Sequence, residues 1–331
     1  MKGRGLGLVF GLIAVAALGA LAFVNRPRTE IVVAMDQAFE AMRPGLVARF
    51  RAFDPLGNRL TYLSLPVDNA PSTLLHELEK RRLRPQAIVA SPLVARALVE
   101  GAARNNAQPP APVIALEWSA GSGQNSPGLP APIGPIPSPT ASILSDPVPA
   151  ARRLGRALGS VIADLRRGSP RLGAPTASAV GAIIWESGPE RPEAERRALE
   201  ETWTAAAGDP PLELVLQPND PNSDSQLRDL FSKDIRALFV DAGSYGPEAL
   251  DQADGKITII AAASGAAMAA SDAWPHAALA LEPDEAAIVA LIRSKRATGL
   301  RGDIAIASIV RILPGAAKLR DFDIAARLAA H

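Results

Sequence analysis

Cysteine is missing from all 331 residues. Its absence excludes disulfides, thiolate metal sites, cysteine nucleophiles and lipid attachment at a lipobox cysteine. It leaves the compartment open, because an exported protein can simply avoid thiols. Surplus charge is missing too: 35 basic and 34 acidic residues give a net charge of +1. That balance offers no general attraction for a phosphate backbone or an anionic membrane, so nucleic acid is not expected as a partner. Histidine is scarce, at three residues, and none sits in a metal-binding pattern. His76 is followed by Glu77 and Glu79, but Lys80 stands where an HExxH motif needs its second histidine, which leaves a solvated helix residue. His276 has no second ligand near it in sequence, and His331 ends the chain. Gly243-Ser244-Tyr245-Gly246 misses the nucleophile elbow. Gly121-Ser122-Gly123 runs on to Ser126 and a Pro-rich stretch, not to a third glycine and a helix. No catalytic constellation, metal or cofactor is expected.

What is present begins with an apolar segment. Lys2 and Arg4 precede an uncharged run over residues 6–24, close to the roughly 20 residues that span a bilayer as a helix. Ala20-Leu21-Ala22 has the small-x-small spacing that signal peptidase cuts, without the usual polar stretch before it. Residues 1–25 therefore fit a cleaved signal peptide and a retained membrane anchor equally. Arg26 and Arg28 balance Lys2 and Arg4, so charge alone does not orient the segment. Export is favoured because the remaining sequence reads as a soluble fold without a second span.

After that segment, β-rich runs alternate with amphipathic stretches, the pattern of parallel sheets covered by helices. Strands are expected at 30–34, 60–65, 86–90 and 112–116. Between them Leu74, Leu75 and Leu78, then Leu93, Val94, Ala97 and Leu98, recur at helical spacing. Phe39, Met42, Leu46 and Phe50 keep a helical face that Pro44-Gly45 should kink or restart. From Ser119 to Pro149 the chain turns rich in Gly, Pro and Ser and reads as a long loop or connection. A strongly amphipathic helix follows, with Leu154, Ala157, Leu158, Val161, Ile162 and Leu165 on one face. Strands are expected again at 179–185, 212–216, 237–241, 257–261 and 277–281, with helices including 192–207 and 283–295. The fold class is α/β with two lobes, each a parallel sheet flanked by helices. The expected division is a first lobe of 29–118 plus about 282–300, and a second of 119–281 plus about 301–331.

Several local motifs, over roughly Glu30 to the C-terminus, resemble those of the type I periplasmic solute-binding proteins and the ligand domains of LacI-type repressors. Ser145-Asp146, followed by Ala151-Arg152-Arg153-Leu154-Gly155, is similar to the segment that opens that family's second lobe. Ala182-Ile183-Ile184-Trp185 with Gly188-Pro189, the helix residues Glu195-Arg196, Phe239-Val240-Asp241 at a strand end, and Val310-Arg311-Ile312-Leu313-Pro314 match further stations. The chain departs from the family at Ala262-Ala263-Ser264-Gly265, where a glycine-x-aspartate loop often contacts ligand, and at Leu199-Glu200-Glu201, where a Gly-aromatic pair is usual. The resemblance therefore does not extend to a sugar held by those groups. The repressors' DNA-reading helix-turn-helix is absent, because the apolar segment stands in its place.

Ligands of open parallel sheets sit outside the carboxyl ends of the strands. That rule, with the resemblance, nominates Asp36, Phe39, Asp68, Asn69, Ser91, Glu117 and Trp118 in the first lobe, and Glu186, Arg196, Asp241 and Ser264 in the second. Carboxylates and amides can accept a ligand's N–H and O–H groups, and Phe39 or Trp118 could cover a ring face. Asp36, Asp68 and Ser91 would serve equally as helix caps, and Trp185, closing an apolar strand, reads as core. Basic clusters at Lys80-Arg81-Arg82 and Arg166-Arg167 fall at helix ends, where positive charge suits the dipole. Arg301-Gly302-Asp303 reads as a turn. The resemblance implies a binding protein and not an enzyme. It would capture a small polar molecule between lobes that close, with an inner-membrane ABC importer or a sensor as partner. The alternative is a membrane-tethered sensor or interaction protein of the same fold with a weak or vestigial site. Both are extracytoplasmic.

Overall fold

The computed structural model describes residues 29–53, 60–117, 139–168, 175–186, 193–217, 220–241, 259–263, 277–294, 299–313 and 323–329. The apolar segment, Trp118 and Ser264 lie outside them, as do the side chains of Glu117 and Glu186.

Two six-stranded sheets organise the chain. The first contains β1 (Thr29–Met35), β2 (Leu60–Ser64), β3 (Arg84–Ala90), β4 (Val113–Glu117), β5 (Ala141–Asp146) and β11 (Gly302–Ala307), in the order β11-β5-β4-β3-β1-β2. All its pairings are parallel. The second contains β6 (Val180–Glu186), β7 (Leu212–Leu216), β8 (Ile235–Asp241), β9 (Ile259–Ala263), β10 (Leu279–Glu282) and β12 (Ile309–Ile312), in the order β12-β10-β9-β8-β6-β7. Only the edge pair β10/β12 is antiparallel.

The strand sequences explain this arrangement. Val32 to Met35 and Ala87 to Ala90 are all fully buried, as continuous apolar runs are when helices cover both faces of a parallel sheet. The first lobe's helices are α1 (Gln37–Met42), α2 (Pro44–Phe53), α3 (Ala70–Lys80) and α4 (Pro92–Arg104). The interruption foreseen at Pro44-Gly45 is a restart: α1 ends at Met42 and α2 begins at Pro44, where a missing N–H costs nothing.

The second lobe has α5 (Val148–Arg167), α6 (Glu193–Ala207), α7 (Ser223–Phe231) and the short α9 (Ile324–Ala329). Here α5 and α6 approach so closely that a Cβ on Gly155 would stand 2.3 Å from the Leu199 carbonyl oxygen, and one on Gly159 2.5 Å from that of Trp203. Helix α8 (Glu285–Ser294) returns to the first lobe, where Ile288 and Ile292 join the core of Phe39, Leu46 and Phe50.

Sheet membership differs from the expected division at two places. A strand, β5, lies inside the stretch 119–149 expected as a connection, and it pairs with β4 and β11. The chain therefore leaves the first sheet after Asp146. The second difference is β11, which begins at the expected turn of Gly302 (φ +64°) and completes the first sheet, although 301–331 was expected in the second lobe. Three short crossings result, at 146–148, 282–285 and 307–309.

Candidate functional site

All three crossings leave from the carboxyl ends of strands: Asp146 of β5, Glu282 of β10 and Ala307 of β11. The carboxyl ends of both sheets therefore lie at the junction of the lobes, where a ligand site of this topology belongs. The junction itself is bonded. The Ser308 N–H donates to the Asp146 carbonyl at 2.7 Å, and the Ser145 and Ser308 hydroxyls are 2.7 Å apart, both residues buried. Asp146 Oδ1 then accepts the Val148 N–H at 3.1 Å and so starts α5.

Asp36 follows β1 and is 4% exposed. One carboxylate oxygen accepts the Phe39 N–H at 2.9 Å and the other the Ser91 hydroxyl at 2.7 Å, while the Asp36 N–H reaches Ser91 Oγ at 3.3 Å. The pair ties the ends of β1 and β3 together. Capping thus accounts for Asp36, and the Ser91 hydroxyl is spent on Asp36 instead of on the start of α4. Phe39, nominated to cover a ligand, is 5% exposed and packs in the core with Leu46 and Phe50. Because α1 turns back over the sheet directly after Asp36, its third residue points inward. Asp68 and Asn69, after β2, are exposed, and Asn69 makes no side-chain cap bond to α3.

In the second lobe Asp241 closes β8 at 6% exposure, in register with Trp185 of β6. Trp185 is core, meeting Phe239 edge-on at 5.3 Å. Arg196 is not at the strand ends. Its guanidinium donates to Glu213 at 2.6 Å, and Glu213 is in register with Ile183, three positions short of the end of β6. It sits on the flank of edge strand β7, where Glu213 accounts for its charge. Glu117 and Glu186 end β4 and β6 by backbone position.

Sequence reasoning missed two groups of polar residues. One is Glu40 of α1 with Tyr62 of β2: Glu40 Oε1 and the Tyr62 hydroxyl are shielded from solvent without hydrogen-bond partners among the described residues. Burial, and then the neighbouring Glu40 carboxylate, push the Tyr62 hydroxyl well above its ordinary pKa. Arg51 lies 4.9 Å over the Tyr62 ring. The other group runs through the second crossing. Arg311 of β12 contacts Glu282 at 2.6 Å, and Glu285, at the head of α8, lies 3.9 Å from Arg49 of α2. Arg43, between α1 and α2, is buried, and desolvation lowers its pKa to about 10 against the opposing pull of Glu285 and Glu282. Burial raises the pKa of Glu285, with Arg43 opposing. Nothing in the local pattern announces these partners, because they come from distant parts of the chain. Among the described residues no group of three His, Cys, Asp or Glu could hold a metal ion.

The fold has counterparts of known structure. An ABC transporter solute-binding protein from Conexibacter woesei is 13% identical and superposes with a TM-score of 0.53 over 91% of this chain and 96% of its own. A transcriptional activator of the comK gene from Bacillus halodurans is 9% identical, with a TM-score of 0.52 over 90% of this chain and 97% of its own. No protein-family model and no curated protein matches the sequence. At these identities the likeness establishes the two-lobed type I periplasmic-binding fold.

Proposed function

We propose that this chain is an exported solute-binding protein that captures a small polar molecule between its lobes and hands it to an importer in the membrane. The observation that carries this reading is the convergence of both sets of strand carboxyl ends on one junction spanned by three short crossings. Such a junction suits closure about a hinge, and closure suits capture better than chemistry. The Conexibacter woesei protein, whose description is a solute-binding one, lends support through its shared fold. Of the nominated residues, Asp68 and Asp241 carry the proposal, one on each lobe, with Glu186 added by its backbone place at the end of β6 and Trp118 by its sequence position alone. Asp36 and Ser91 would shape the site by holding β1 and β3, and Phe39 would back it from the core. Arg196 has no part in it.

A second reading is a tethered sensor of the same fold, held in the membrane by residues 6–24. The length of that run favours it. Thermal unfolding against a panel of sugars, amino acids, nucleosides and organic acids tests both readings. A ligand at about a hundred times its dissociation constant stabilises the protein by about 2.7 kcal/mol. A shift that Asp68→Ala removes supports capture at the junction. A flat response across the panel favours the sensor.

A further inference from the structure

The geometry points to a basic end of the first lobe that lies against the anionic phospholipid headgroups of the membrane. A net charge of +1 conceals how the charges are distributed. Because the strands of the first sheet are all parallel, their amino ends gather on one side, together with the carboxyl ends of the helices that precede them. At that end stand Arg51 of α2, Lys80 of α3, Arg81 and Arg82 after it, Arg84 opening β3, and Arg104 of α4, all exposed. Arg293 of α8 joins them, 5.7 Å over the ring of Phe53 at the end of α2, and exposed Arg301 precedes β11. Among the described residues the acidic ones there are Glu30, by its backbone position at the start of β1, Glu77, which engages Lys80 and Arg81, Glu100, which engages Arg104, and the exposed Glu79 and Asp303.

Helix dipoles favour cations in a last turn, but they do not explain Arg84 or Arg301, which lie at strand starts. Among the described residues neither Arg82 nor Arg84 pairs with a carboxylate. At the same end of the second lobe most basic residues are paired, Arg166 with Asp209, Arg167 with Asp164, Lys233 with Asp229 and Arg236 with Asp234, and exposed Arg228 of α7 is the exception among the described residues. Apolar surface accompanies the charge, since Leu75 is 49% exposed and lines a groove with Arg82, Arg84, Pro85 and Pro110.

Chain connectivity supplies the occupant. Thr29, the first residue of β1, is in register with Arg84, and adjacent strands are about 4.8 Å apart. Only residues 25–28 separate it from the apolar run, and the five steps from Val24 to Thr29 reach at most about 18 Å at about 3.6 Å each. With the run in a bilayer, this end of the lobe is held within one headgroup layer and about one screening length of the lipid surface. Lysine and arginine so placed are drawn to anionic lipid. The inference takes its geometry from the tethered reading above.

The test uses the full chain in phosphatidylcholine vesicles, with and without phosphatidylglycerol, carrying a headgroup-linked quencher. The cysteine-free sequence lets one fluorophore be placed on Ala107→Cys, beside Arg104, or on Ser72→Cys, at the opposite end of α3. Quenching at position 107 should exceed that at position 72 and rise about threefold or more with phosphatidylglycerol. The rise should vanish in high salt and in the triple variant Arg81→Glu, Arg82→Glu, Arg84→Glu. Equal quenching in neutral and anionic vesicles, or a rise that survives both high salt and the triple variant, would overturn the inference. Release of the chain by alkaline carbonate would defeat the tethered reading alone, and the dependence on anionic lipid would still decide the headgroup contact.

Discussion

The hydroxyl of Ser145, at the end of β5, lies 2.7 Å from that of Ser308, between β11 and β12. Two of the three crossings are thus joined by side chains as well as by the backbone bond from Ser308 to Asp146. Each hydroxyl is buried, so removing one leaves the other without its partner. Ser145→Ala and Ser308→Ala should each destabilise by about 0.5–2 kcal/mol, and the double variant by less than their sum. Urea unfolding of the four proteins in the cycle measures the coupling, and strict additivity would deny the bond any role.

Asp36 is expected to matter for stability first. Asp36→Ala deletes the cap on α1 and strands the Ser91 hydroxyl, for a loss of about 1–3 kcal/mol. Ser91→Ala leaves the cap intact and should cost less. Denaturation midpoints of the two variants give the order, and the reverse order would contradict the geometry.

The contact between α5 and α6 sets a sterically sharper prediction. Gly155→Ala pushes a methyl group into the Leu199 carbonyl, a backbone atom that cannot swing aside. A loss of about 1–3 kcal/mol or more is expected, whereas Gly208→Ala, with nothing within 4 Å of a new Cβ, meets only the cost of its φ of +88°. Melting temperatures of the pair measure the difference, and a larger loss at position 208 would refute the close packing.

Glu285 gives the pH dependence. Its folded pKa is raised by burial, so the folded state holds a proton that the unfolded state has already released. Its contribution is fully present below the ordinary value of 4.5 and is lost as pH rises through the folded value. Glu285→Gln, which mimics the protonated carboxyl, should flatten that segment of the stability curve and leave stability at neutral pH unchanged or higher, because the raised pKa marks the ionised form as the costlier one in the fold. Unfolding free energies between pH 4 and 8 test both effects. An unchanged slope would remove Glu285 from the account.

The sequence disclosed most of the architecture because parallel strands buried on both faces read as apolar runs. Val32 to Met35 and Ile183 to Trp185 are examples, and the face of α5 is equally plain. Two strands escaped notice for local reasons. Ala141–Asp146 has only Ile143 and Leu144 as large apolar residues and follows a Pro-rich stretch. Gly302–Ala307 is an edge strand, half exposed, that opens on a turn-like tripeptide. Those two omissions also displaced the lobe boundaries. At the strand ends, position alone nominated Asp36, Asp68 and Asp241 and could not assign their roles. The side of α1 on which Phe39 falls depends on how the chain turns after Asp36. The Arg43, Glu282 and Glu285 group is assembled by tertiary folding from segments with no shared pattern.

Capture between lobes is the central claim, and the distance across the junction tests it most directly. Fluorophores on Ser72→Cys of α3 and Ser225→Cys of α7, both exposed serines near helix starts, report that distance by energy transfer while the same small-molecule panel is titrated. Saturable shortening with one class of compound, abolished by Asp68→Ala together with Asp241→Asn, is the predicted result. A distance that no compound changes, in protein that binds one of them by thermal shift, would contradict closure of the lobes on a ligand.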